Sequence, residues 1–329
     1  MTDRRLPMNA IALGLLAAAS LASLFLGRVN ISPQALVEGF FSSDTNLAHL
    51  VITELRLPRT ILAVLVGGAL GLSGAVLQGL LRNPLAEPGL LGVSSGAAVG
   101  AVISIYFGLA AVFSLATPLL GLAGALGAGA LTFALGRGGT LSLILAGAAV
   151  SGLMAAFLAM ALNFAPNPYA AFEMSIWMLG SLSQKSWEHI LLAGPFILAG
   201  ILVLSTLGRS IDALALGEEQ AASLGVDLDR TRVLALLGVG LAAGAATSVT
   251  GSIGFIGLIA PHLVRPFVGY LPRLTMLPSA LFGAALLLLA DIGTRVLHTS
   301  SELRLGVITS LLGTPFFFWL VVRLRRMAP

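Results

Sequence analysis

The side chains able to do chemistry are few, and they gather in two polar stretches of an otherwise apolar chain. The first is Arg82-Asn-Pro-Leu-Ala-Glu-Pro-Gly89, a segment broken twice by proline between two apolar runs. The second runs from Arg209 to Arg232 and sets Asp212, Glu218, Glu219, Asp227 and Asp229 among arginines. Carboxylates and guanidiniums with no histidine or cysteine beside them support ion pairing and docking rather than bond-making. The missing residue types agree. The 329 residues include no cysteine, which excludes disulfides, thiolate metal sites and cysteine nucleophiles. The 4 histidines, His49, His189, His262 and His298, form no pair at helical spacing for a metal. No Gly-x-x-x-x-Gly-Lys-Ser/Thr loop occurs to cradle a nucleotide. A net charge of +4 is too small to argue for nucleic acid.

The elements that carry these stretches belong in a bilayer. The chain is 57% hydrophobic and 10% charged, with a mean hydropathy of +0.99. A soluble domain carries about 25% charged residues. The 39 glycines show no Gly-X-Y period, which excludes collagen. About 20 apolar residues make one crossing. The charge-free runs are Leu6–Gly27, Thr60–Leu81, Pro88–Gly136, Gly138–Phe172, His189–Gly208, Val233–Val264, Leu274–Ala290 and Leu305–Val322. Pro88–Gly136 holds two helices broken near Gly108, and Val233–Val264 holds two broken at Gly251–Gly254. The sequence therefore predicts an all-α membrane protein of ten transmembrane helices. Ala165-Pro166-Asn167-Pro168 ends the helix in Gly138–Phe172, and a short surface helix follows. Residues 1–329 read as a single polytopic domain, with 209–232 as a cytoplasmic segment within it.

Arg4-Arg5 before an apolar run also describes a cleavable signal peptide, but the spans behind it favour a retained first helix. Placing both ends inside puts most of the 18 Lys+Arg in the cytoplasm, in keeping with the positive-inside bias. Arg28, Arg56, Arg59, Lys185, Arg295 and Arg304 are left outside. Glycines four residues apart, Gly67/Gly71, Gly92/Gly96/Gly100 and Gly240/Gly244, predict close helix crossings, although glycine abundance alone produces such pairs. Gly74-Ala-Val-Leu-Gln-Gly79 with Pro88 beyond it resembles Ala246-Thr-Ser-Val-Thr-Gly251 with Pro261 beyond it. The topology makes this a weak inverted repeat, a common plan of transporters.

Within 209–232, Asp212–Leu216 and Glu218–Leu224 read as short helical pieces separated by Gly217 and stopped by Gly225. A solvated linker with frayed ends is the competing reading. Arg56, Arg59 and Arg295 run against the charge bias of the outer face. A guanidinium is a rigid fork suited to carboxylates, so docking of an acidic partner is one explanation. Snorkelling, or pairing with Glu54 and Asp291, is the other. An ion-coupled secondary transporter would set carboxylates near mid-membrane. Here the charge near a span is Asp291, with Arg295 one turn on to neutralise it. A purely structural subunit would leave both polar stretches unexplained.

Four motifs in order carry a family resemblance. They are Arg82–Gly89 as quoted, Gly217-Glu-Glu-Gln-Ala-Ala-Ser-Leu-Gly225, Gly251-Ser-Ile-Gly-Phe-Ile-Gly-Leu-Ile-Ala-Pro-His-Leu-Val-Arg265 and Gly306-Val-Ile-Thr-Ser-Leu-Leu-Gly-Thr-Pro-Phe-Phe317. From about Leu55 to Leu324 the chain resembles the FecCD/BtuC family, permease subunits of type II ABC importers for iron-siderophores, haem and vitamin B12. One departure is Arg304 after Glu302-Leu303, where the family usually has proline. The resemblance implies a homodimer around a central pathway, two cytoplasmic ATPase subunits that use ATP and Mg, and a periplasmic substrate-binding protein. It places the chain in the bacterial inner membrane with both termini cytoplasmic, and gives it no catalytic residue, cofactor or metal of its own. Gly217, Glu218, Glu219, Gln220, Leu224 and Gly225 would then form the coupling helix that docks into the ATPase. Asn83 and Leu85, with Thr140 and Ser142 opposite, would form the cytoplasmic gate. Arg56, Arg59 and Arg295 would receive glutamates of the binding protein. About Thr140–Phe164 and Gly306–Trp319 would line the pathway. Trp177-Met-Leu-Gly-Ser-Leu-Ser183 resembles siderophore and haem members more than B12 members, which puts iron chelates first and cobalamin second.

Overall fold

The computed structural model describes residues 5–27, 29, 31–41, 46–297 and 303–327. Arg4, Arg28, His298 and Glu302 lie outside the described residues. Among the described residues there is no strand. The helices are α1 (Arg5–Phe25), α2 (Pro33–Phe41), α3 (Leu47–Leu80), α4 (Val93–Tyr106), α5 (Ala116–Leu135), α6 (Thr140–Asn163) and α7 (Pro168–Met178). They continue as α8 (Trp187–Thr206), α9 (Gly208–Leu214), α10 (Glu218–Ser223), α11 (Leu228–Thr250), α12 (Ile256–Val264), α13 (Pro272–Val296) and α14 (Leu305–Met327).

Every apolar run forms helix, and the ten expected spans differ in length. Among the described residues 8 helices, namely α1, α3, α5, α6, α8, α11, α13 and α14, are long and apolar enough to cross a bilayer. The other two expected spans are short, with 14 residues in α4 and 9 in α12. At 1.5 Å per residue these make about 21 Å and about 14 Å of helix, against roughly 30 Å of hydrocarbon. Proline and positive φ set both limits. Residues 83–92 form an irregular hook that ends in a 3-10 turn at Pro88–Leu91 and in Gly92 at φ 75°. Ahead of α12 the chain is broken at Gly251 (φ 75°) and at Phe255 (φ 68°). A side chain at positive φ is held there only by its surroundings.

The helices α3 and α11 form the centre, with 83% and 78% of their spanning windows buried, while α1, α6, α8 and α14 bury between 22% and 28%. The outer helices turn apolar side chains such as Leu145, Leu191, Leu202 and Leu311 outward. Burial against another helix gains little over burial in lipid, so close backbone approach has to hold the bundle. The glycine pairs supply it. Gly67 and Gly71 meet Gly283 and Ser279 of α13, Gly96 and Gly100 meet Gly124 and Leu120 of α5, and Gly244 meets Ala125. A β-carbon at Gly74 would overlap the carbonyl oxygen of Gly257, so this glycine is what lets α12 lie on α3. The surface helix α7 starts after Asn167, whose side chain accepts the N–H of Ala170.

Candidate functional site

The segment 209–232 folds as two short helices, and Gly217 at φ 120° turns the chain between them. That conformation is open to glycine and strained for other residues. Gly225 at φ 83° stops α10. Glu218 and Glu219 occupy its acidic first turn, which complements a helix N-terminus. Glu218 points into the protein. Its Oε1 accepts the Thr140 hydroxyl at 2.5 Å, and its Oε2 accepts Arg232 Nη2 at 2.8 Å. The Thr140 hydroxyl, followed by Arg232, holds the Glu218 carboxyl below its usual range despite partial desolvation. Glu219, Gln220, Leu224 and Gly225 are exposed. Leu216 and Leu224 remain 64% and 65% exposed, two apolar contacts flanking a polar helix. Sequence motifs single out neither Leu216 nor Arg232. The one signal for Leu216 is a leucine just ahead of a helix-breaking glycine in a segment outside the bilayer.

Behind α10 opens a cavity of about 650 Å³, lined by Leu81 and Arg82 after α3, by Thr140, Leu141 and Ile144 of α6, and by Gly217–Gln220. The fold thus brings the start of the first polar stretch to the second. Asn83, Leu85, Thr140 and Ser142 are all half-buried. The side chain of Asn83 accepts the N–H of Leu85 at 2.9 Å, which closes the proline-broken turn on itself.

At the opposite end of the bundle the three expected docking arginines form a cluster, and two of them turn inward. Arg56 is 5% exposed and donates to the carbonyls of Leu24, Phe25 and Val29 at 2.9, 2.8 and 2.7 Å. It satisfies carbonyls that the end of α1 leaves without partners. Arg295, also 5% exposed, donates to the Ser23 carbonyl at 2.8 Å and pairs with Asp291 at 2.7 Å. Arg59 pairs with the same carboxylate at 2.8 Å and donates to Thr294, and its side chain is 14% exposed. A fully buried Asp291 requires these charges beside it. In the loop between α7 and α8, burial pushes the Lys185 ammonium down to about 8.

A cavity of about 710 Å³ lies between the end of α7, the break before α12 and the face of α14 that carries Gly306, Val307, Ser310, Leu311 and Thr314. This face belongs to the segment expected to line a pathway, and it offers few polar groups beyond two hydroxyls. A second, apolar cavity of about 510 Å³ lies between α4 and α6. Among the described residues no group of three or more His, Asp or Glu could hold a metal ion.

A bundle of apolar helices long enough to cross a bilayer, with a polar helix bonded to one helix end, is the architecture of a multi-pass membrane protein. The model of the FecCD transport family matches residues 15–323, and the chain belongs to that family. It is similar to the hemin transport system permease protein HmuU of Yersinia pestis, with 40% identity over 94% of both chains. It is 37% identical to the vitamin B12 import system permease protein BtuC of Vibrio vulnificus (strain CMCP6), over 95% of this chain and 93% of that one. A solved inward-facing structure assigned to the metal-chelate type of ABC transporter superposes with a TM-score of 0.84 at 33% identity, covering 96% of this chain and 99% of that one. The chain is thus an ABC transporter permease, a transport component rather than an enzyme.

Proposed function

We propose that two copies of this chain form the permease of an ATP-driven importer in the bacterial cytoplasmic membrane, which takes a large iron chelate, haem or a ferric siderophore, from a periplasmic binding protein. The observation that carries this reading is the pair of bonds from Glu218 to Thr140 and Arg232. They join a helix outside the bilayer to the end of the helix where the gate is expected. Two cytoplasmic ATPase subunits, using ATP and Mg, grip α10 through Glu219, Gln220, Leu216 and Leu224, while Gly217 and Gly225 keep it a separate lever. Asn83 and Leu85 on the hook and Thr140 and Ser142 on α6 close the cytoplasmic end. Irregular backbone at membrane depth is tolerated where it is packed in protein or lines a cavity, which fits the hook. The binding protein docks on the other face near Arg59, with Arg56 and Arg295 acting through the helix ends they fix. Charge pairs at such a rim contribute about 0.2–1 kcal/mol each and mainly set register and on-rate.

The cavity along α14 is mostly apolar and suits weak, transient contact with a large chelate. The relatives named for hemin and vitamin B12 support a metal chelate, with cobalamin as the second reading. Asp291, held between Arg59 and Arg295, is ill suited to couple a moving ion, which speaks against a secondary transporter. The test is uptake of radiolabelled haem, a ferric siderophore and cobalamin in cells lacking their own permeases, with this chain expressed beside its ATPase and binding protein. ATP-dependent uptake of haem or a siderophore is expected. Uptake of cobalamin alone would move the reading to vitamin B12, and ATP-independent uptake would overturn it.

A further inference from the structure

Glu87 sits in the middle of the hook, and its carboxylate reaches across to another part of the chain. Its Oε2 accepts the main-chain N–H of Phe255 at 3.2 Å, across 168 residues of sequence. Phe255 is the residue from which α12 starts. Its carbonyl accepts the N–H groups of Leu258 and Ile259, and its own N–H is the one Glu87 takes. Its ring lines the 710 Å³ cavity and packs on α14 so closely that a β-carbon at Gly313 would overlap it. Phe255 therefore touches the cavity with its side chain and the hook with its backbone.

The hook consists of two consecutive hydrogen-bonded turns, one over Asn83–Ala86 and one over Glu87–Gly92. Asn83 accepts the N–H groups of Leu85 and Ala86, and the Glu87 carbonyl accepts the N–H of Leu90. Its far part is pinned to the neighbouring helices, with Ser151 of α6 donating to the carbonyl of Gly89 and Thr132 of α5 to that of Leu91. Glu87 thus adjoins the turn that holds Asn83 and Leu85 and is itself bonded to Phe255. We propose that Glu87 is a positioning residue that couples the cavity wall at Phe255 to the hook, so that the gate turn and the pathway wall move as one. The proposal rests on the reading of Asn83 and Leu85 as gate residues. It adds a link that this reading does not contain, from the pathway to the gate rather than from the ATPase to the gate.

The experiment uses the full importer reconstituted in nanodiscs, with Leu85→Cys as the one cysteine in an otherwise cysteine-free chain, and measures crosslinking between the two copies with and without ATP. Three changes are compared in that background. Glu87→Met keeps the length of the arm and removes the acceptor, Glu87→Gln keeps an acceptor oxygen, and Glu87→Asp keeps the carboxyl group but shortens the arm. Import per ATP hydrolysed should fall about threefold to tenfold in Glu87→Met, the scale expected for losing one buried hydrogen bond. The ATP dependence of crosslinking should vanish with it. Glu87→Gln should restore both. If Glu87→Met fails to assemble, Glu87→Asp decides, since loss of ATP-dependent crosslinking there despite the retained carboxyl group supports reach to Phe255 as the cause. Normal crosslinking and import in Glu87→Met, or in Glu87→Asp should that variant be the one to assemble, would overturn the proposal while leaving the gate reading intact. A parent Leu85→Cys protein whose crosslinking ignores ATP would bring down the gate reading and this proposal together.

Discussion

The hydroxyl of Thr140, the first residue of α6, donates to Glu218, the first residue of α10, across 78 residues of sequence. Both residues begin their helices, so the bond ties one helix end to another. Arg232 of α11 holds the second carboxylate oxygen and keeps Glu218 from swinging away. The contact therefore fixes the spacing between the starts of α10 and α6.

Removing either side of this contact should uncouple transport without dismantling the bundle. Thr140→Val keeps the shape and loses the hydroxyl, and Glu218→Gln weakens the bond from the other side. Each is expected to lower import per ATP hydrolysed about threefold to tenfold, since Glu218 is partly open to water and its bonds are screened. A double-mutant cycle checks the link: the double variant should be no worse than the poorer single one. Strictly additive losses would mean that the two residues act separately.

The contact has a defined pH window. Glu218 is held below its ordinary value of 4.5, so the stabilisation is present at neutral pH and is lost only as pH falls through that lowered value. Spin labels on α6 and α10 of the purified permease should keep a constant separation from about pH 8 to about pH 5. A change of distance in that range would show that the contact is not the one that sets the spacing.

Lys185 is the only lysine in the sequence, so its dimethylated signal has to be told apart only from that of the chain's α-amino group. Burial pushes it down to about 8, so the neutral amine suits the folded state and the fold gains as pH rises through that value. The carbon-13 NMR signal of the dimethylated side chain should titrate with a midpoint near 8 in the folded protein. A midpoint near 10.5 would place the ammonium in open water.

The arginine cluster should behave as a brace. Arg56→Ala leaves the carbonyls of Leu24, Phe25 and Val29 without a donor, and Asp291→Asn leaves Arg59 and Arg295 facing each other. Breaking the buried pair at Asp291 costs about 3–5 kcal/mol, and leaving carbonyls without a donor costs about 1–3 kcal/mol. Thermal unfolding in detergent should show both variants well below the parent, whether or not a binding protein is present. If Arg56→Ala kept the parental midpoint and lost only binding-protein capture, docking would be its role.

Gly74→Ala should be among the most damaging single-methyl changes in the chain, because the new β-carbon meets the carbonyl of Gly257 rather than a movable side chain. Overpacking of this sort costs about 1–3 kcal/mol. Gly152→Ala, where a β-carbon meets open space inside a helix, is the control and should leave the unfolding midpoint unchanged or slightly raised.

Residence in a bilayer, the helical runs and the breaks at Gly108, Pro166, Gly217 and Gly225 were all legible in the sequence. Each rests on a local cause: charge is excluded from hydrocarbon, and proline and glycine restrict or free the backbone at their own positions. Arg82–Gly89 and Gly217–Gly225 stood out for the same reason, as polar interruptions of apolar runs. The tertiary structure decided what those residues touch. It shortened α4 and α12 below bilayer length, because the hook and Phe255 take up conformations that packing imposes. It turned Arg56 and Arg295 inward to helix ends and a buried carboxylate, where sequence alone left docking and internal pairing open. It also joined Glu218 to Thr140 and Glu87 to Phe255. Side chains 78 and 168 residues from their partners carry no periodicity or spacing that records the contact, so only the folded bundle could bring them together.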